Sequence, residues 1–128
     1  MTLHKEISFE TEICQYLADH GWLYAEGDAA DYDRARAIFP ADVLAWVQAT
    51  QPKAWETLTK NHGTQAAETL LNRLRDQLEQ RGTLDVLRHG IELLGLRQPL
   101  KLAEFKPALA INPDILARYA ANRLRVVR

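Results

Sequence analysis

One cysteine, Cys14, is all the chain has, so no disulfide can form within it. That suits a reducing cytoplasm, where thiols stay reduced. Long apolar runs are missing too: none approaches the roughly 20 residues that a membrane helix needs. The opening MTLHKEISFE carries no apolar signal-peptide core, so export is not expected. No Gly-x-Ser-x-Gly elbow, Gly-rich phosphate loop or dinucleotide fingerprint occurs. His4, His20, His62 and His89 include no i, i+4 pair of the kind a helical zinc site uses. The chain therefore presents no complete catalytic set. Cys14, beside the expected inner face of the first helix, reads as an inert core thiol.

What is there is an ordinary globular composition. The 128 residues are 47% hydrophobic and 26% charged, enough for a single domain, 1–128, with a real core. The net charge of −1 does not by itself suggest a nucleic-acid partner, but the charge is unevenly placed. Residues 1–50 hold three basic groups against nine acids, and residues 51–96 hold six of each. Residues 97–128 hold seven basic groups against Glu104 and Asp114. The molecule is expected to have one basic end, a feature equally compatible with chance placement.

The apolar periodicity predicts a mainly α fold, a bundle-like domain of about six or seven helices with one or two short strands near its C-terminus. A first helix is expected from Ser8, with Phe9, Ile13 and Leu17 as its inner stripe and Gly21 as its stop. Trp22–Ala30 reads as a connector and Asp31–Ile38 as a short helix. Pro40 and Pro52 each suit the first position of a helix; the first carries Val43, Leu44 and Val47 inward, the second Trp55 and Leu58, closing at Gly63. The clearest pattern runs from Thr64, a possible cap, to Arg81, with Ala67, Leu70, Leu71, Leu74 and Leu78 on one face. A short helix from Thr83 to His89 follows, then loop and one possible strand to Phe105. Asn112-Pro113 is a strong helix start. Leu124–Arg128 is β-branched and partly alternating, and reads as a strand with no following partner, an exposed edge. Trp22, Trp46 and Trp55 are expected in or around the core.

Several short runs, taken in order, resemble a known family. Phe9-Glu10-Thr11-Glu12-Ile13, Leu17 and Gly21-Trp22 look like the opening helix of the R subunits of type I restriction enzymes (the HsdR family). The likeness continues through Tyr32-Asp33, Thr50-Gln51-Pro52, Trp55, Phe105-Lys106-Pro107, Asn112-Pro113 and Tyr119-Ala120-Ala121-Asn122-Arg123-Leu124. It covers nearly the whole chain, and its distinctiveness lies in order and spacing rather than in any one piece.

The resemblance implies the front part of a PD-(D/E)xK nuclease domain within a larger protein that uses Mg²⁺ and ATP. Such proteins translocate and cleave DNA in complex with modification and specificity subunits, in the cytoplasm. The Asp and Glu-x-Lys that would hold the metal are expected after Arg128, so the 128-residue chain should be inactive alone. Glu10 is the candidate accessory metal ligand or orienter, with Glu12 and Glu6 behind it. Lys106, Arg118, Arg123, Arg125 and Arg128 are the candidate DNA-phosphate contacts. The chain is expected to be a monomer or a weak dimer. The alternative is a helical interaction module that docks onto partner subunits, its tryptophans exposed together; a stand-alone DNA-binding domain is disfavoured because the helix over 64–81 balances Arg73, Arg75 and Arg81 with Glu68, Asp76 and Glu79.

Overall fold

Proline and glycine punctuate the chain much as their stereochemistry demands. A computed structural model describes residues 3–128, with side chains described from Lys5 onward. Among these residues the order is α1 (Leu3–Asp19), a 3₁₀ turn (Asp28–Asp31), α2 (Pro40–Thr50), α3 (Pro52–His62), a second 3₁₀ turn (Gly63–Gln65), α4 (Ala66–Arg81), α5 (Thr83–His89) and α6 (Pro113–Ala120). Pro40, Pro52 and Pro113 each occupy the first turn of their helix, where the missing N–H has no partner to lose. Asn112 caps α6: its side-chain oxygen accepts from the backbone N–H of Asp114 at 2.9 Å and of Ile115 at 3.4 Å. The fold is mainly helical, and no described helix is long and apolar enough to cross a membrane.

The chain falls into two compact units, one of residues up to Tyr32 with Arg123–Arg128, the other Asp33–Asn122. In the larger unit, Val47, Leu58, Leu70, Val86, Ile91 and Leu100 are fully buried. Burying each such side chain stabilises the fold by about 1.5–3 kcal/mol. Trp46 lies in this core and Trp55 packs against it, while Trp22, in the smaller unit, is half-buried. None of the three is exposed. The loop after α5 is closed by an antiparallel bridge between Ile91 and Leu100, with backbone hydrogen bonds of 2.8 Å in both directions.

A buried amide organises the end of α4. Its inner face is Ala66, Leu70, Leu71, Leu74 and Gln77, so a glutamine sits where only apolar residues were expected. Gln77 Nε2 donates to the Glu92 carbonyl at 2.9 Å, and its Oε1 accepts from Arg81 Nη1 at 2.7 Å. Arg81 also donates to the Gly90 carbonyl at 2.9 Å and to Asp85 Oδ2 at 2.7 Å. The polar group is thereby satisfied, as an interior amide must be.

Four local expectations are corrected. The first helix starts at Leu3, not Ser8, and two of its three expected inner residues face outward: Phe9 is 62% and Ile13 42% exposed, while Leu17 is half-buried and Cys14 buried. Thr64 caps nothing, because the chain takes a 3₁₀ turn there before α4 begins at Ala66. Asp31–Ile38 is not a helix. Asp33 N–H donates to the Ile38 carbonyl at 2.9 Å, Ala37 N–H returns to the Asp33 carbonyl at 2.7 Å, and Asp33 Oδ1 accepts from Arg36 N–H at 3.1 Å. That closure puts Ala37 at φ 60, outside the helical region.

The C-terminal strand is the fourth. Among the described residues strands are reduced to isolated bridges. Leu124–Arg128 is not a lone edge: Leu23 pairs with Arg125 in parallel, its N–H donating to the Leu124 carbonyl at 2.7 Å and its carbonyl accepting from Val126 at 3.0 Å. The partner lies inside the stretch expected to be a mere connector.

Candidate functional site

Glu10 sits on an exposed face of α1, and Gly21, at φ 94, ends that helix so that the chain can return as Trp22–Tyr24. The Trp22 N–H reaches back to the Leu17 carbonyl at 3.0 Å, the closure expected of a glycine stop. Leu23 then takes up the backbone of Leu124–Val126, which carries Arg128 to α1. There Arg128 Nε lies 3.4 Å from Glu10 Oε2, and its Nη2 donates to the Ile7 carbonyl at 3.0 Å. A hydrogen bond with Tyr24, and then one with Glu10, hold the guanidinium above its ordinary pKa. Two of the expected site residues therefore meet, although 118 positions separate them.

A second pair braces the same unit. Asp28 accepts from Arg125 and from the Ala25 backbone N–H, the latter at 2.9 Å. Its carboxylate is mostly shielded, at 12% side-chain exposure, so the pair is held more firmly than an open surface pair. Neither Asp28 nor Tyr24 was expected to take part. Asp28 follows Gly27, a positive-φ residue, which was a legible hint of a turn; Tyr24 carried no signal of its own.

Arg118 lies in the larger unit. Its side chain grips Glu104 Oε1 at 3.0 Å, and Lys101 Nζ approaches Oε2 at 3.3 Å. Asn122 clamps the backbone of the same glutamate, donating to its carbonyl at 2.6 Å and accepting from its N–H at 3.1 Å. Glu104, Arg118 and Asn122 thus tie α6 to the segment before it. Lys106 and Arg123 are exposed.

These placements define what the candidates can do. A DNA phosphate would have to compete with Glu104 for Arg118, with Asp28 for Arg125 and with Glu10 for Arg128. Lys106 has no ion-pair partner among the described residues and is open to a polyanion. Magnesium takes several oxygen ligands, usually carboxylates and water. Glu10 has a guanidinium beside it, and among the described residues no three His, Cys, Asp or Glu side chains gather to hold a metal. No family model matches the chain, and no curated protein or solved structure matches it either.

Proposed function

We propose that the chain is the helical front part of the endonuclease domain of a type I restriction enzyme R subunit. The parent protein would cleave DNA with Mg²⁺ after ATP-driven translocation, in the cytoplasm and with modification and specificity subunits. The motif order supports this reading. The observation that carries it is the meeting of Glu10, on the opening helix, with Arg128, which follows directly on the parallel-paired segment at Leu23 and Arg125. An acid on a helix beside a pairing segment is where an accessory residue of the metal site would stand. On this reading the metal-holding Asp and Glu-x-Lys come from sequence following Arg128, and the 128-residue chain positions rather than cuts.

A plasmid-nicking assay with Mg²⁺ tests it. The 128-residue chain leaves supercoiled DNA intact, and a chain extended to the expected Asp and Glu-x-Lys nicks it. In the extended chain Glu10→Gln lowers the rate by about 10- to 100-fold, as for residues that orient metal ligands. Cleavage by the 128-residue chain itself, or coding sequence after Arg128 without those residues, overturns the proposal.

A second reading, docking onto partner subunits, is favoured by one feature. Phe9, Ile13 and Tyr16 recur at i, i+4 and i+7 on α1, are 42–62% exposed, and form an apolar stripe facing outward. Phe9→Glu with Ile13→Glu would then abolish binding to the modification and specificity subunits without changing the helical circular dichroism. Unchanged binding removes this reading.

A further inference from the structure

The larger unit holds a cavity of about 610 Å³ between α3, α4 and the loop closed by Ile91 and Leu100. This lies within the 300–1,000 Å³ range of small-molecule sites. Its polar lining includes His62, Thr69, Arg73 and Arg97, and its apolar wall includes Leu93, Leu96 and Pro99.

The arginines here differ from most others in the chain. Arg36, Arg75, Arg81, Arg118, Arg125 and Arg128 are each paired with a carboxylate. Arg97 forms no ion pair or hydrogen bond among the described residues. Arg73 uses only Nε, donating to the Glu92 carbonyl at 3.1 Å. That bond fixes the plane of the guanidinium and leaves its two outer nitrogens uncommitted. The Thr69 hydroxyl is also uncommitted among the described residues.

The wall is fixed as well. Glu92 is gripped by Gln77, and Leu96 N–H closes a turn on the Leu93 carbonyl at 3.2 Å. Asn61 packs so closely on Gly95 that a Cβ there would lie 2.6 Å from its Nδ2. A concave wall therefore faces two guanidinium groups, one of them oriented, that pair with no carboxylate among the described residues. Glu92 also lines the cavity, and its charge opposes an anion; against Arg73 and Arg97 it leaves one positive charge in excess.

The geometry points to a binding site for a phosphate ester: a phosphate bridging Arg73 and Arg97, with its organic body against Leu93, Leu96 and Pro99. Planar guanidinium forks suit phosphate oxygens two at a time, and Thr69 supplies a further donor. The phosphate can belong to a free monoester or to a nucleic-acid backbone; the chemistry at the arginines is the same. This site is independent of the nuclease reading above.

Amide chemical-shift titrations of the full chain test it, with phenyl phosphate, inorganic phosphate and a short DNA duplex as probes. Phenyl phosphate should shift the amides around Arg73 and of the loop over 92–98 saturably, and bind at least about tenfold more tightly than inorganic phosphate because of the apolar wall. Arg97→Gln, at an exposed and unpaired position that the fold does not use, should weaken it about tenfold, and Glu92→Gln should tighten it. Displacement by the duplex assigns the phosphate to a DNA backbone, and failure to displace assigns it to a free monoester. No saturable shift with either ester, equal affinity for inorganic phosphate, or shifts unaltered by Arg97→Gln overturns the site.

Discussion

Arg128 reaches back across the chain to Glu10, its Nε 3.4 Å from Oε2, and fastens the C-terminal segment to the first helix. The side chains are 31% and 56% exposed, so solvent screens the attraction. Glu10→Gln and Arg128→Gln should each destabilise the smaller unit only slightly, and a double-mutant cycle should return a small favourable coupling. The raised pKa of Arg128, owed first to Tyr24, keeps its guanidinium charged at neutral and acidic pH, because the effect of a raised folded value is lost only as pH rises through it. Hydrogen exchange in α1 is the measurement. A coupling near zero would show that the two groups merely lie close.

Gln77 is a stronger test. Replacing it by Leu leaves the Glu92 N–H and an Arg81 N–H without this acceptor and the Glu92 carbonyl with Arg73 as its remaining donor, for a cost of about 1–3 kcal/mol despite the added apolar side chain. Urea unfolding should show a lower midpoint with an unchanged slope. A gain in stability would mean that the polar network contributes nothing net.

Gly90 and Gly82 form a matched pair. Both have positive φ with extended ψ, Gly82 at 84 and 159, Gly90 at 73 and −170, a region essentially reserved for glycine. A Cβ at Gly82 would meet open space, whereas one at Gly90 would lie 2.3 Å from the Leu100 carbonyl oxygen. Gly82→Ala should cost the conformational penalty alone, about 1–3 kcal/mol. Gly90→Ala should cost clearly more, since the Ile91–Leu100 bridge must shift. Equal thermal midpoints for the two variants would rule out the steric contribution.

Asp85 ties stability to acid. The hydrogen bond from Arg81 is the largest cause holding its carboxyl below its ordinary value, outweighing desolvation, with Arg81, His89 and Arg88 adding charge attraction. A lowered folded value means that the contribution is fully present above the ordinary carboxylate range and disappears as pH falls through the folded value. Unfolding free energy should therefore decline on acidification below about pH 4, and Asp85→Asn should flatten that decline. Parallel curves for both proteins would remove Asp85 as a cause.

Helix starts and stops were legible where one residue dictates backbone geometry: Pro40, Pro52, Asn112-Pro113 and the glycines at 21, 63, 82 and 90. Periodicity located the α4 core, but Gln77 belongs to it through hydrogen bonds that no hydrophobic count detects. Phe9 and Ile13 have helical spacing yet face outward, because spacing says which residues share a face and not where that face points. Of the site, Glu10 and the basic residues were named, but Tyr24 and Asp28 lie about a hundred positions from Arg128 and Arg125 and meet them only when the chain folds. The Arg73–Arg97 cavity depends on a loop whose shape is set by Gly95 and Asn61, and no linear pattern announces it.

The pairing of Leu23 with Arg125 has a consequence for biogenesis. The first helix is synthesised early, but the backbone that secures it is made about a hundred residues later. At about 5–20 residues per second, that leaves α1 waiting roughly 5–20 seconds on the ribosome while the helices between can already assemble.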